Sequence, residues 1–511
     1  MEPLVAVKSE SWLSWFFRGL VFIGFVFLFV KLLELGAIKG DYFRGLSEGN
    51  RIRRIPIAAP RGRILARGGE ILVDNKEVNE ANRVYPLGSA FVHVSGYLGE
   101  VNEDEVGKIN PKCPEKGPRY PDTLVGRAGL EAEYECVLSG TPGEELIEVD
   151  TLGKKIRTLG KKEPVHGGDL KTWIDYGLQK KVAEVIGQTK GAVIATDVGG
   201  EVLALYSSPS YDPANVSSRL SDPALPLFNR VIGGQFHPGS VFKPFVALAA
   251  LSEGEITKDF LFEDPGVINV GKFSYSNWFF TQYGRTEGKI NVERALARST
   301  DTFFYKIGEM VGIDKLVEWT GIFGFTKKTG IDLDGEIESL VPSPEWKLKA
   351  IGEPWFLGNT YHMSIGQGDL SVTPVALHRG ILGIANGGRL CSLKIGDTPS
   401  CNKLKIDKEN LDIVKAGMVA ACSPGGTGYT FFDWNNEGGP STRRSGLVAC
   451  KTGTAETNED GKTHAWFVTF APSDFPEIVL TVLMEQGGEG SKIAGPPARE
   501  IMDYWFGRES P

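Results

Sequence analysis

A chain of 511 residues, 41% hydrophobic and 23% charged, with 64 glycines in no tripeptide period, has length for a large core and on the order of two to four domains. Those figures exclude a disordered chain, a collagen-like fibre and a small scaffold that depends on staples. A formal charge of −8 provides no dominant basic face, so nucleic acid is not an expected partner.

The first predicted element is a membrane segment. Trp12 to Leu33 reads WLSWFFRGLVFIGFVFLFVKLL, about 33 Å long as a helix and sufficient to span a bilayer core. Arg18 and Lys31 flank its uncharged stretch with stems long enough to carry charge towards the interfaces, and Trp12 and Trp15 suit a headgroup belt. The following LLELGAIKG is a poor cleavage site, so an uncleaved anchor is expected rather than a signal peptide. Residues 1–11 would form a cytoplasmic tail. Charge opposes that orientation: 1–11 carry only Lys8, whereas 34–54 carry Lys39, Arg44, Arg51, Arg53 and Arg54.

Residues 34 to about 170 are rich in Gly, Pro and charge and read as small β elements and loops, a spacer module. From about 172 the texture changes. GAVIATD (191–197) and EVLALYS (201–207) flank Val198-Gly199-Gly200, a predicted hairpin turn. Further strands are predicted in GLVACKTGT (446–454), THAWFVTFA (463–471) and EIVLTVLME (477–485), then a helix from Pro496 to Trp505. Early and late strands with helices between them imply an α/β domain whose sheet is closed by both chain ends.

Three motifs in that domain carry chemistry. In Ser240-Val241-Phe242-Lys243 the preceding Pro238-Gly239 makes a turn and an apolar helical run follows, so Ser240 is placed at a helix start. Spacing i, i+3 then lets the Lys243 amine approach the hydroxyl. A serine is a weak nucleophile until a base takes its proton, and a lysine held neutral by its surroundings is such a base. The second motif is Ser299-Thr300-Asp301 and the third Lys451-Thr452-Gly453-Thr454 on a predicted strand. A hydroxyl, an acid and a second lysine complete a proton relay and a grip for an anionic group. Gly453 would let a substrate backbone lie close to the strand edge.

Cysteines 113, 136, 391, 401, 422 and 450 form no CxxC pair, and no histidine is spaced for zinc, so no metal and no cofactor are expected. Cys391 and Cys401 are near enough in sequence to bridge a loop in an oxidising compartment, and spacing leaves that pairing open. Cys450 reads as a buried small hydrophobe. His237 precedes a proline, off the helix face, and reads as structural. His464 reads as an ordinary strand residue, and Phe303, Phe304 and Tyr305 as core.

The ordered set SxxK, SxD, KTG is the signature of penicillin-recognising acyl-serine transferases. With NRIRRIPIAAPRGRIL (50–65), RVYPLGSAFVHVSGYLGEV (83–101), GRAGLEAEYECVLSGTPG (126–143), ATDVGGEVLALYSSPSYDP (195–213) and MSIGQGDLSVTP (363–374), the chain resembles a class B penicillin-binding protein of the elongation type. The resemblance implies an α/β (α+β) fold of the penicillin-binding transpeptidase and serine β-lactamase kind. A central antiparallel sheet would carry helices on both faces, behind one transmembrane helix (12–33), a β-rich pedestal (34–171) and the transpeptidase domain (172–511). Residues 76–82 are too short a link for the head subdomain that longer members insert there, so a shortened pedestal is expected.

Carried over residue by residue, the resemblance implies that Ser240 attacks the D-alanyl-D-alanine bond of a donor stem peptide, with Lys243 as base. Ser299 and Asp301 would assist proton transfer. Lys451, Thr452, Gly453 and Thr454 would bind the substrate and its terminal carboxylate, and the backbone N–H groups of Ser240 and Thr454 would form the oxyanion hole. An acceptor amine on a neighbouring stem peptide would resolve the ester, and β-lactams would acylate the serine. A glycan-polymerising membrane protein is the implied partner, and a single-pass membrane protein with an extracytoplasmic catalytic domain the implied placement. The motifs leave two other functions open: a D,D-carboxypeptidase or β-lactamase-like hydrolase, and a non-enzymatic β-lactam sensor or wall scaffold. Asp301 stands where the wider superfamily usually has Asn.

Overall fold

The run Trp12–Leu33 is apolar all round, and it folds as one helix, α1, in which no residue is buried. Core helices of soluble proteins hide such a surface, whereas a helix that faces lipid has no need to. The helix continues through one wider turn, Glu34–Ile38, where Lys31 and Lys39 each sit 2.7 Å from Glu34. A single N-terminal helix of this kind fits a single-pass membrane anchor. The computed structural model describes residues 12–76, 83–121, 123–150, 152–436, 446–457 and 461–508; the tail expected over 1–11 lies outside the described residues.

The chain divides into two compact units, and residues 34–171 are shared between them. The first joins the N-terminal segment up to Ala59 with Thr141–Val165. Its three-stranded antiparallel sheet has Gly143–Val149 at the centre, between Ile52–Ile57 and Lys155–Lys162. Carboxylates on the central strand meet basic side chains from both flanks: Glu148 lies 2.9 Å from Arg51 and 2.6 Å from Arg157.

The second unit comprises Pro60–Gly140 and everything from His166 on. In its first part Ile71–Asn75 pairs with Arg83–Val84, Asn75 opposite Arg83, so that residues 76–82 link the two strands. A buried ionic cluster sits beside this hairpin. Glu131 accepts from Arg61 at 2.8 Å and from Arg83 at 2.7 Å, and Arg61 also reaches Glu135 at 2.8 Å.

The centre of the second unit is an antiparallel sheet of β1 (Gly191–Thr196), β2 (Val202–Ser208), β3 (Ala449–Glu456), β4 (Thr463–Ala471) and β5 (Ile478–Met484), ordered β2-β1-β5-β4-β3. Pairing of β1 with β5 closes the sheet from both chain ends, as the strand pattern implies. Successive strand residues point to opposite faces, and both faces here are apolar: Ile194, Val468 and Leu483 enter one core, Val193, Phe467 and Val482 the other. Helix α2 (Tyr176–Ile186) contributes Leu178 and Val182 to the second core. Helix α3 (Lys243–Ser252) fills the first with Val246, Ala247 and Leu248. Helices α4 (Val292–Arg298), α5 (Asp301–Val311) and α6 (Lys408–Ala421) add Leu296, Phe304 and Val414 to that first core. The last helix, α7 (Gly495–Phe506), supplies Ile501 and Met502 to the second. Phe303 and Phe304 are core residues, as read from the sequence, and Tyr305 is mostly buried.

All described cysteines are paired: Cys113 with Cys136, Cys391 with Cys401 across two adjacent strands, and Cys422 with Cys450. Cys450 is therefore half of a disulfide and not merely a small apolar filler. Its partner closes α6, and only the packing of that helix against β3 brings the two together.

Candidate active site

Ser240 does not lie on an α-helix. Pro238 leads into one tight turn of 3-10 helix, Gly239–Phe242, which runs directly into α3. Backbone packs against this turn on more than one side. Gly239 has φ +56° and its N–H donates to the Gly366 carbonyl at 2.8 Å. A Cβ on Gly366 would lie 2.2 Å from the Gly239 oxygen, and one on Gly453 would lie 3.0 Å from the Pro238 oxygen. The missing side chain at Gly453 thus lets the serine turn close on β3. His237 bonds through Nδ1 to the Leu370 oxygen (2.7 Å), and its own carbonyl accepts from the Trp466 indole (2.9 Å).

The two motif lysines converge beneath the serine. Lys243 Nζ donates to the Ser299 carbonyl (2.8 Å), Ser299 Oγ (3.2 Å) and Asp301 Oδ1 (2.6 Å). Lys451 Nζ donates to the same Ser299 Oγ (2.9 Å) and to the Thr452 carbonyl (3.0 Å). The spacing i, i+3 points Lys243 at Ser240, yet its hydrogen bonds go to Ser299 and Asp301, because a carboxylate and a carbonyl outcompete a neutral hydroxyl for an amine. Both lysines are fully buried. Burial lowers the proton affinity of Lys243, with Asp301 opposing. It lowers that of Lys451 much further, helped by repulsion from Lys243.

Local chain geometry explains the middle motif. Ser299 ends α4 in the left-handed region, φ +57°, a conformation that favours glycine and is held here by its surroundings. Asp301 then opens α5, where free N–H groups favour a carboxylate. Its Oδ2 accepts from the Trp278 backbone N–H at 3.0 Å, and its own N–H points to Asn277 Oδ1 at 3.3 Å. Asn277 is tied in turn to the buried Asp264 at 3.0 Å. No motif in the sequence marked Asp264, Asn277 or Trp278.

Above this cluster lies a cleft of about 500 Å³ lined by Ser240, Ser299, Asp301, Thr452 and Thr454. Trp278, Thr281, Gln282, Gln367, Thr427, Glu456 and Glu489 are among the other residues that line it. The structure thus gathers residues from all three motifs around one cavity. Lys243 and Lys451 are buried and bond to residues that line it, Lys243 to Ser299 and Asp301 and Lys451 to Ser299 and Thr452. Among the described residues no cluster of His, Cys, Asp or Glu is arranged to hold a metal ion. The arrangement supports acyl transfer: a serine on a helix-opening turn, two buried lysine amines whose proton affinity burial lowers, and hydroxyls facing the cleft.

Comparison with known proteins agrees with this chemistry. The penicillin binding protein transpeptidase domain matches residues 191–503, and the penicillin-binding protein dimerisation domain matches 77–172. This chain belongs to the penicillin-binding protein transpeptidase family, as an elongation-type class B member. The peptidoglycan D,D-transpeptidase MrdA of Acinetobacter baumannii is 33% identical over 455 residues, which cover 84% of this chain and 66% of that relative. Penicillin-binding protein 2 of Pseudomonas aeruginosa, solved in complex with WCK 5153, superposes with a TM-score of 0.75 at 32% identity over 89% of this chain and 96% of that one. A chain from a peptidoglycan synthase complex that coordinates polymerization and crosslinking gives 0.76 at 26% identity, over 97% and 98%.

Proposed function

We propose that this protein is a membrane-anchored peptidoglycan D,D-transpeptidase that cross-links stem peptides through an acyl-serine intermediate during wall elongation, and that β-lactams acylate it. The observation that carries the reading is Ser299 Oγ held between two buried lysine amines, 3.2 Å and 2.9 Å away, in a cleft that also exposes Ser240. The activity named for the MrdA relative supports it.

In this mechanism Ser240 Oγ attacks the carbonyl carbon of the penultimate D-alanine while its proton passes to the neutral Lys243 amine. The N–H groups of Ser240 and Thr454 take the charge that develops on the carbonyl oxygen. The peptide bond breaks and terminal D-alanine departs with the proton relayed by Lys243 and Ser299. The acceptor amine then attacks the ester, gives its proton to the same relay and forms the cross-link, and Ser240 regains its hydrogen. Thr452 and Thr454 hold the donor carboxylate. Lys451, which donates to Ser299 Oγ and to the Thr452 carbonyl, supports both the relay and the carboxylate site.

We place the catalytic unit outside the cytoplasm. Three disulfides suit an oxidising compartment. The basic residues that follow the anchor favour the opposite orientation by charge bias alone, and the disulfides are the ground on which this placement rests. The likeness to a chain of a peptidoglycan synthase complex supports a glycan-polymerising membrane protein as partner.

A labelled penicillin should attach to the Ser240 peptide, and Ser240→Ala should abolish labelling; a label that survives the change removes Ser240 as nucleophile. A stem-peptide donor supplied with an acceptor amine should yield a cross-linked product by mass. Hydrolysed peptide alone would overturn transpeptidation in favour of carboxypeptidase activity. A catalytic domain protected from protease in intact spheroplasts would refute the placement.

A further inference from the structure

The segment between α6 and β3 has no role in the chemistry above, yet it reaches the cleft. Cys422 caps α6, Cys450 stands immediately before Lys451, and the bridge between them sets their Cα atoms 5.7 Å apart. The loop 423–428 folds back over this bridge. Gly428 N–H donates to the Ala421 carbonyl at 2.8 Å, and a Cβ on Gly428 would lie 2.6 Å from Cys450 Sγ, so the loop backbone rests on the sulfur. Asn435 clamps the same place from the other side, accepting from Val448 N–H (2.8 Å) and donating to the carbonyls of Val448 (3.0 Å) and Val419 (3.3 Å).

What these constraints deliver is Thr427, whose Oγ1 lies 2.8 Å from Thr452 Oγ1 while both residues line the cleft with Ser240. A hydroxyl carries one proton and can accept from a neighbour while donating it elsewhere. In the structure Thr452 Oγ1 donates to Thr427 Oγ1; with an anion in the cleft the pair turns over, so that Thr427 donates to Thr452 and Thr452 donates to the anion, each bond strengthening the other. Without Thr427 the Thr452 proton has no fixed direction.

We propose that Thr427 is a positioning residue for recognition of the donor's terminal carboxylate, acting through Thr452, and that the Cys422–Cys450 bridge holds it in place. This rests on the reading that Ser240 is acylated by carboxylate-bearing donors. Recognition of the anion therefore depends on a disulfide, and reducing it costs selectivity for the carboxylate.

The test compares second-order acylation rates of the detergent-solubilised full chain with a labelled penicillin and with the methyl ester of the same compound. Thr427→Val, which keeps the shape and removes the hydroxyl, should slow acylation by the carboxylate form about tenfold, the worth of one charge-assisted hydrogen bond, and leave the ester unchanged. Thr427→Ser should restore the rate. Cys422→Ala combined with Cys450→Ala should reproduce the selective loss. Equal slowing of both compounds, or of neither, in Thr427→Val overturns the proposal. Thermal melting of each variant separates a folding defect from a selective one. A wild-type chain that neither compound labels would instead sink the acyl-serine reading itself.

Discussion

Replacing Asp301 by Asn restores the residue usual in the wider superfamily, and the structure says that the swap is not neutral here. Asp301 accepts at both oxygens from donors: Lys243 Nζ at 2.6 Å and the Trp278 N–H at 3.0 Å. An Asn can accept at one of these positions and must present its NH₂ to the other, which leaves a buried donor facing a donor at about 1–3 kcal/mol. Loss of the charge matters more for catalysis. Asp301 is the group that holds the Lys243 proton affinity up against burial, so removing its charge lowers that affinity further. Acylation needs the neutral amine, so the acid limb of the pH–rate profile should move to lower pH, while the plateau falls because a weaker base takes the serine proton less readily. Rapid-mixing measurements of labelled penicillin attachment from mildly acid to alkaline pH read both effects. An acid limb that stays in place, or moves upward, refutes the assignment of Lys243 as base under Asp301 control.

Gly366→Ala places a Cβ about on top of the Gly239 oxygen, 2.2 Å away, at a backbone of φ +76°. Displacement of the serine turn should lower the acylation rate about a hundredfold, and a near-normal rate would show that the turn can give way. Glu131→Ala strips the buried Arg61 and Arg83 of their shared carboxylate. Urea unfolding should show a loss of about 3–5 kcal/mol, and a loss under about 1 kcal/mol would mean that water enters the cluster.

The parts of the fold legible in sequence were those written in local pattern. GAVIAT, THAWFVTFA and IVLTVLM are apolar throughout because the sheet is covered on both faces, and their β-branched and aromatic content marks them as strands before any contact is known. Ser240, Lys243, Ser299 and Lys451 were legible because each motif is short and contiguous. What escaped depends on three-dimensional closure. Asn277 and Trp278 touch Asp301 because residues 262–287 fold back over α5, and Thr427 meets Thr452 because the end of α6 packs beside β3, where residues 28 apart are bridged. The spacing i, i+3 suggests that the Lys243 amine meets Ser240, whereas its hydrogen bonds go to Ser299 and Asp301, acceptors that a spacing does not reveal.

Around Ser240 the nearest walls are main chain: the Gly366 segment on one side, β3 at Gly453 and Thr454 on another. Backbone cannot be exchanged by point mutation, and the glycines that permit the approach have no smaller residue to become. Selection by a drug therefore finds little to alter next to the nucleophile without moving the nucleophile itself. Variants that tell antibiotic from stem peptide should accumulate at the outer walls, at Thr281, Gln282, Glu456 and Glu489, where a side chain can change and the serine turn stays put.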